Sequence, residues 1–259
     1  MANRYYEAGA ERAGRVENLF DRVASRYDRL NDVQSLGLHR LWKREVVRQA
    51  VTAPGARVLD VCCGTGDLAF GLSRAGARVV GADFSAPMLE VARLRGQRDR
   101  SSKRCGQDVM EWMSPVWVRG DALRRPFAPE SFDAVTIGYG LRNLGSLEEG
   151  LREFWRVTRP GGRLLILDFG KPSNRVLRYL YFGYLGFLVP WFGRLGCGDA
   201  DAYGYILESL RHYPAQEGMG VLLRQAGWKP VQSRDWLGGT MNLTIAEKPV
   251  GEVSKGRLG

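Results

Sequence analysis

Arg57-Val58-Leu59-Asp60-Val61-Cys62-Cys63-Gly64-Thr65-Gly66-Asp67-Leu68-Ala69-Phe70 reads as an apolar strand, a glycine loop and the first turn of a helix. The strand closes on Asp60. The loop carries Gly64 and Gly66, as it must where the backbone turns sharply and a ligand comes close to a position that a Cβ would block. A second strand, Ala77 to Ala82, ends in Asp83, seventeen residues beyond Gly66. An acidic residue at that place can take both hydroxyls of a ribose. The stretch predicts the nucleotide-binding corner of an α/β fold.

Two cofactors fit this spacing. Gly64-Thr65-Gly66-Asp67-Leu68-Ala69 also matches the G-x-G-x-x-[GA] pattern of dinucleotide enzymes, which set a pyrophosphate on the helix N-terminus. Here Asp67 occupies that first turn and Asp60 closes the strand, and two carboxylates repel a pyrophosphate. S-adenosylmethionine carries a cationic amino group and a sulfonium and no phosphate, so charge favours it over NAD.

Outward from this corner, strands and helices alternate. Val118-Arg119-Gly120-Asp121-Ala122 reads as the end of a third strand and its loop, where Asp121 and the Ala122 amide can read an adenine edge. Ser131 to Gly138 gives a fourth strand, and Arg159 to Asp168 a turn and a fifth. Helices are expected over Asp67 to Arg74, Ala86 to Arg95, Leu147 to Thr158 and Gln216 to Gln225, the last stopped by Gly227. Such alternation builds a parallel sheet with right-handed crossovers. The chain ends differently: Lys229 to Trp236 and Thr240 to Glu247 flank Leu237-Gly238-Gly239, a hairpin that makes the last strand antiparallel. Residues 1–50 place Val16, Leu19, Phe20, Val23, Leu38, Leu41 and Trp42 at helical spacing and are expected to form a helical cover. Residues 51–248 are the expected core and 249–259 a flexible tail, all in a single domain.

This succession resembles class I S-adenosylmethionine-dependent methyltransferases. Three elements narrow it: Phe20-Asp21-Arg22-Val23-Ala24 with Tyr27-Asp28, then Ser35-Leu36-Gly37-Leu38-His39-Arg40-Leu41-Trp42-Lys43, then Tyr139-Gly140-Leu141-Arg142-Asn143. From roughly Val16 to Lys248 the chain is similar to the menaquinone/ubiquinone C-methyltransferase family. The resemblance implies a Rossmann-like, seven-stranded, mainly parallel sheet with an antiparallel last strand and helices on both faces. It implies methylation of a ring carbon of a polyprenylated quinol. Two positions depart from the wider pattern. Cys62 stands where the class usually has glycine, and Cys62-Cys63 looks like the branch that methylates naphthoquinones in photosynthetic organisms. Gly138-Tyr139 replaces the commoner Ser-Phe, so no serine contact to the cofactor is carried over at 138. These variants tilt the expectation towards conversion of demethylmenaquinol to menaquinol and away from a benzoquinol of ubiquinone biosynthesis.

Methyl transfer from a sulfonium is an in-line displacement, in which the protein mainly holds donor and acceptor in near-attack geometry and keeps water out. A hydroquinone carbon becomes a good nucleophile once a neighbouring hydroxyl loses its proton. One general base, or one charge that lowers the phenol pKa, is required. His39 and His212 are the candidate bases, each beside an arginine, with helix capping or core packing as the alternative. The resemblance puts Arg142 and Asn143 near the quinol oxygens, where Arg142 would favour the phenolate; a salt bridge holding the loop is the competing reading. Tyr139 and Tyr27 are further hydrogen-bond candidates, and Asp28 helps close the site. For the cofactor, the resemblance assigns Thr65, Asp83 and Asp121 with Ala122, alongside Asp60, Gly64 and Gly66. Phe84 either flanks the base or packs in the core.

Charge and composition bound the partners. The 259-residue chain has a formal net charge of +10, of which +5 falls between Arg93 and Arg104. That run is expected to be a solvated loop or a contact for an anionic membrane; nucleic acid is not expected, because no aromatic residue interrupts the run to stack on a base. The four cysteines have no paired metal-ligand or disulfide-scaffold spacing, so no metal is expected and the chain reads as reduced and cytoplasmic. No apolar signal segment is visible near Met1. The uncharged run Tyr179 to Gly193 is too short for the ~20 residues of a spanning helix. Its aromatic density suggests a roof over the pocket that touches the lipid interface, and a core helix pair is the alternative. A peripheral enzyme at the cytoplasmic membrane face is therefore expected, and a homodimer is left open.

Overall fold

The computed structural model describes residues 14, 21, 24, 31, 32, 35, 37–102, 113–123, 126–188 and 207–250. Tyr27, Asp28, Trp191, Phe192, Cys105, Cys197, the end of the basic run and the expected tail beyond 250 lie outside the described residues. Seven strands make one sheet: β1 (Arg57–Val61), β2 (Arg78–Asp83), β3 (Val116–Arg119), β4 (Phe132–Gly138), β5 (Thr158–Phe169), β6 (Lys229–Trp236) and β7 (Met241–Glu247). Their spatial order is β3-β2-β1-β4-β5-β7-β6. Strand β1 pairs in parallel with both β2 and β4, and β7 runs antiparallel between β5 and β6. The order reverses at β1, and the crevice above the carboxyl ends of β1 and β4 is where an open α/β sheet places ligands.

The helices are α1 (His39–Ala50), α2 (Asp67–Arg74), α3 (Ala86–Ser102), α4 (Leu147–Val157), α5 (Arg175–Gly183) and α6 (Ala215–Gln225), with a π-helical turn at Tyr184–Leu188, 3-10 turns at Leu141–Asn143 and Leu237–Gly239, and a helical stretch over 207–212. The strands alternate between two buried faces, as period-two side chains must. Leu59, Val61, Leu164 and Ile166 join Leu151, Phe154 and Val157 of α4 and Met219 and Leu223 of α6 in one core. Val58, Leu165 and Leu167 join Trp42, Val46 and Ala50 of α1 and Leu68, Ala69 and Leu72 of α2 in the other. Each fully buried Leu, Val or Phe is worth about 1.5–3 kcal/mol relative to exposure, so α1 is part of the sheet's own layering. Trp228, 2% exposed, donates its indole N–H to the Leu151 carbonyl at 3.0 Å and ties the start of β6 to α4.

Local chemistry sets the helix ends. Ser146-Leu147-Glu148-Glu149 opens α4: the Ser146 hydroxyl accepts the Glu149 N–H, and the two acids complement the helix dipole. Asn174 caps α5 by accepting the N–H groups of Val176 and Leu177. Helix α3 runs to Ser102, beyond the Arg95 stop expected from sequence, because Arg and Gln extend a helix readily once Gly96 is passed. Residues 93–102, ten of the twelve in the basic run, are thus helical, where a loop was expected. Strand β3 stops at Arg119, which leaves Asp121 and Ala122 in a turn. Among the described residues no helix is long and apolar enough to cross a membrane.

Candidate active site

At the carboxyl ends of β1, β2 and β4 lies a small cleft, lined by Cys62, Gly64, Asp83, Phe84, Met88 and the 138–140 turn with Asn143. Its floor is the glycine loop. Gly66 has φ +82° and its N–H binds the Cys63 carbonyl at 2.9 Å, closing the turn that starts α2. A Cβ on Gly66 would collide with the Trp117 ring, while one on Gly64 would meet open space. The loop is tight against the sheet at Gly66 and open to a ligand at Gly64.

Asp83 organises this loop. One carboxylate oxygen accepts the Gly64 N–H at 2.8 Å and the other the Ser85 N–H at 3.0 Å. Each oxygen has a second lone pair, so the group can hold the loop and still accept ribose hydroxyls. Asp21, from the N-terminal motif, accepts the Ser85 hydroxyl proton beside it. Thr65 is 2% exposed and receives Arg95 on both its carbonyl and its hydroxyl, at 3.2 and 3.3 Å.

Asp60 lies behind the loop, 1% exposed. Its Oδ1 accepts the Thr136 hydroxyl at 2.8 Å, and its Oδ2 is buried with no hydrogen-bond partner. Burial pushes this carboxyl up to about 7; the Thr136 bond and the Lys43 charge pull it back, and Asp83 and Asp67 add to the rise. An orphaned carboxylate oxygen is costly unless a donor arrives to satisfy it.

The opposite wall is the turn after β4. Tyr139 has φ +60° and Cys62 has φ +53°, two non-glycine residues in the left-handed region, both facing the cleft. Strain of this kind gathers at ligand sites and persists only where neighbours enforce it. Here the enforcing contact is close packing: a Cβ on Gly140 would stand 2.5 Å from Cys62 Cβ. Asn143 lines the cleft and its side-chain amide reaches the Tyr139 carbonyl at 3.4 Å.

Arg142 points elsewhere. Its Nη1 donates to Asp168 Oδ1 and to the Tyr139 carbonyl, both at 2.6 Å, and its guanidinium stacks 4.7 Å from the Phe169 ring centroid. Both members of the pair are buried, at 7% and 2% exposure. The salt bridge holding the loop is therefore present, and Arg142 is not among the residues that line the cleft. Asp168 carries no sequence motif of its own; only the register of β4 on β5, which sets Gly138 against Leu167, reveals it as the partner.

A second, more open groove adjoins the first, along α1 and the start of α2. His39, Arg40, Lys43, Arg44, Asp67 and Arg95 are among its walls. His39 is 5% exposed; its Nε2 meets Asp32 Oδ1 at 2.8 Å, and its Nδ1 is buried without a partner. The Asp32 carboxyl is held below its usual range by the His39 hydrogen bond and then by Arg40. Lys43, one helical turn after His39, bonds Asp67 Oδ2 at 2.7 Å and stands 5.8 Å from the Tyr139 ring centroid. His212 is away from both grooves, its Nδ1 3.1 Å from the Glu208 carbonyl on an exposed helical turn. Asp121 is exposed and accepts the Leu123 N–H at 2.9 Å, and Ala122 is buried beneath it. Neither residue lines the cleft, whereas Phe84 does. Lys43, Arg95, Thr136 and Asp168 are the site residues that the sequence reading passed over. The spacing of His39 and Lys43, four apart on one helix face, was the available signal for the first.

Sheet order, antiparallel β7 and a glycine-loop cleft at the β1/β4 switch point define a class I methyltransferase fold. A solved [4+2]-cyclase, SpnF, shares it with a TM-score of 0.65 at 18% identity, covering 92% of this chain and 97% of that one. Residues 8–248 match the model of the ubiE/COQ5 methyltransferase family, and the chain belongs to that family. A demethylmenaquinone methyltransferase from Mycobacterium sp. (strain KMS) is 44% identical over 234 residues, 90% of this chain and 94% of the relative. The ubiquinone/menaquinone biosynthesis C-methyltransferase UbiE of Paracoccus denitrificans (strain Pd 1222) is 40% identical over 230 residues, 88% of each.

Proposed function

We propose that this protein uses S-adenosylmethionine to methylate a ring carbon of a polyprenylated naphthoquinol, converting demethylmenaquinol to menaquinol. The observation that carries the reading is the orphaned, buried Asp60 oxygen behind an open glycine loop, in a chain of this family. A cationic amino group satisfies that oxygen, and a pyrophosphate would meet Asp60, Asp67 and Asp83 together. The choice of ring follows the mycobacterial relative, whose name specifies demethylmenaquinone. The Paracoccus relative's name includes ubiquinone, so a benzoquinol is the second reading.

When bound, the cofactor supplies an electrophilic methyl group. The chain's own work is to hold it and to activate the quinol. Asp83 would take the ribose, Gly64, Thr65 and Gly66 the backbone side of the nucleoside, and Phe84 the region of the adenine. Asn143 and Tyr139 face the cleft and would orient a quinol oxygen. Ionising the quinol needs either a base that takes the proton or a nearby cation that favours the phenolate while the proton passes to water, and one residue offers each. His39 offers a buried Nδ1 lone pair when Asp32 holds the Nε2 proton. Arg142, fixed by Asp168, would act through its charge, stabilising a phenolate across the Tyr139 turn.

A polyprenyl substrate has to be met at a bilayer, and α5 with the π-helical turn that follows it supplies a suitable surface. Val176, Tyr179, Leu180 and Phe187 are 69%, 80%, 61% and 83% exposed and recur at helical spacing. Arg175 and Arg178 flank them. A transient contact of this face with an anionic membrane is part of the proposal, as is a single catalytic domain beneath an N-terminal helical cover.

The deciding experiment is extraction of quinones from cells with and without the protein, weighed by mass spectrometry. Naphthoquinone lacking one methyl in the deficient cells supports the reading. An unchanged naphthoquinone with an altered benzoquinone would transfer the assignment to the second reading, and no change in either would overturn both.

A further inference from the structure

We infer that Lys43 is the cation that anchors the carboxylate of the cofactor's amino-acid moiety, so that the cover helix α1 completes the cofactor site. The inference rests on the proposal that S-adenosylmethionine is the ligand. An α-amino acid carries its ammonium and its carboxylate on the same carbon. A site that receives the ammonium on one acid must therefore present a cation close by, or leave the carboxylate facing acids alone.

The glycine loop is surrounded by acids: Asp60 behind it, Asp83 bonded to Gly64, and Asp67 in the first turn of α2. Into this acidic ring Lys43 projects from α1, its side chain 13% exposed and its Nζ 2.7 Å from Asp67 Oδ2. The same Nζ stands 5.8 Å from the centroid of the Tyr139 ring, which lines the cleft. Lys43 is thus between the opening of α2 and the cleft wall. Its field also reaches Asp60, where it opposes the effect of burial. An ammonium has three donors, and the bond to Asp67 uses one, so Lys43 can hold Asp67 and a second carboxylate together. Arg95 is the other cation at Asp67, at 3.7 Å, but its Nη1 already donates to the Thr65 carbonyl and hydroxyl.

The test compares two ligands that differ in the amino-acid group, ammonium and carboxylate together, and reads which of the variants changes that difference. S-adenosylhomocysteine carries the amino-acid group, and 5′-methylthioadenosine has the same nucleoside and thioether without it. Calorimetric titration of the wild type, Lys43→Met, Lys43→Arg and Arg95→Met with each ligand separates the roles. The expected result is that Lys43→Met weakens S-adenosylhomocysteine at least tenfold and methylthioadenosine less than twofold, with Lys43→Arg recovering most of the loss. Equal weakening of both ligands would make Lys43 a structural tie to Asp67 and overturn the inference. So would a selective loss in Arg95→Met with none in Lys43→Met. If Lys43→Met does not fold, the Lys43→Arg protein carries the test: it must keep a preference for S-adenosylhomocysteine within threefold of wild type. Failure of the wild type to bind S-adenosylhomocysteine would instead remove the cofactor assignment itself.

Discussion

On the proposed reading, Asp60 should make the affinity for the cofactor a function of pH. Its carboxyl is raised from an ordinary 3.8 to about 7, chiefly by burial. A cationic amino group prefers the carboxylate, so binding must drive off any proton that Asp60 carries. For one group titrating near 7, the dissociation constant of S-adenosylhomocysteine should be about tenfold weaker at pH 6 than at pH 8, with a plateau above. Close to one proton should leave per ligand bound at pH 6, which is measured by calorimetry in two buffers of different ionisation enthalpy. Asp60→Asn should flatten the profile and lower the affinity at pH 8. A wild-type profile that is already flat between pH 6 and 8, or an Asp60→Asn protein that keeps the slope, would refute the role given to this carboxylate.

The same group fixes a stability signature in the free protein. A folded pKa above the unfolded one means that the native state holds the proton more tightly. The contribution is therefore fullest below about pH 4 and is lost as pH rises through about 7, a difference of ~4 kcal/mol. Asp60→Asn removes the charge that burial penalises and should make the ligand-free protein more resistant to urea at pH 8, with less than half that gain at pH 5 and none below about pH 4. Stabilisation with simultaneous loss of ligand affinity is the mark of a residue kept for binding.

Other perturbations test the rest of the site. Asp168→Asn leaves Arg142 buried without its counter-charge and should cost about 3–5 kcal/mol in denaturant unfolding, and a loss below 1 kcal/mol would mean that the pair is not a tie of the loop. Cys62→Gly should relieve a left-handed non-glycine conformation and stabilise by about 1 kcal/mol, while Cys62→Ala should not; equal effects would locate the cause outside the backbone. Asp83→Ala should weaken both S-adenosylmethionine and its product by on the order of 2 kcal/mol in calorimetry, and unchanged affinity would remove the ribose contact. Changing Tyr179 and Phe187 to Ser should reduce co-sedimentation with anionic vesicles on the order of tenfold, and should lower activity on a long-tailed quinol more than on a tailless one. Equal loss on both substrates would count against membrane contact through α5.

The parts of this molecule that were legible in its sequence are those fixed by neighbours along the chain. Helix α2 spans Asp67–Arg74 as expected, because Gly66 permits the turn that starts it and the Ala75-Gly76 turn ends it. The hairpin around Leu237-Gly238-Gly239 returns β7 antiparallel for the same local reason: Gly238 and Gly239 adopt positive φ. What stayed hidden depends on register. Gly138 pairs with Leu167, and the Tyr139 N–H bonds the Leu167 carbonyl at 2.7 Å, so the loop after β4 is brought onto the end of β5. That placement, twenty-six residues distant in sequence, gives Arg142 its partner Asp168 and directs it into the core. Lys43 was obscured in a similar way. Its motif was recognised as a unit, but only the packing of Trp42 and Val46 into the sheet face turns the next residue towards Asp67. Local pattern could name the segments that meet at the cleft; which atom each contributes is decided where β1 and β4 lie side by side.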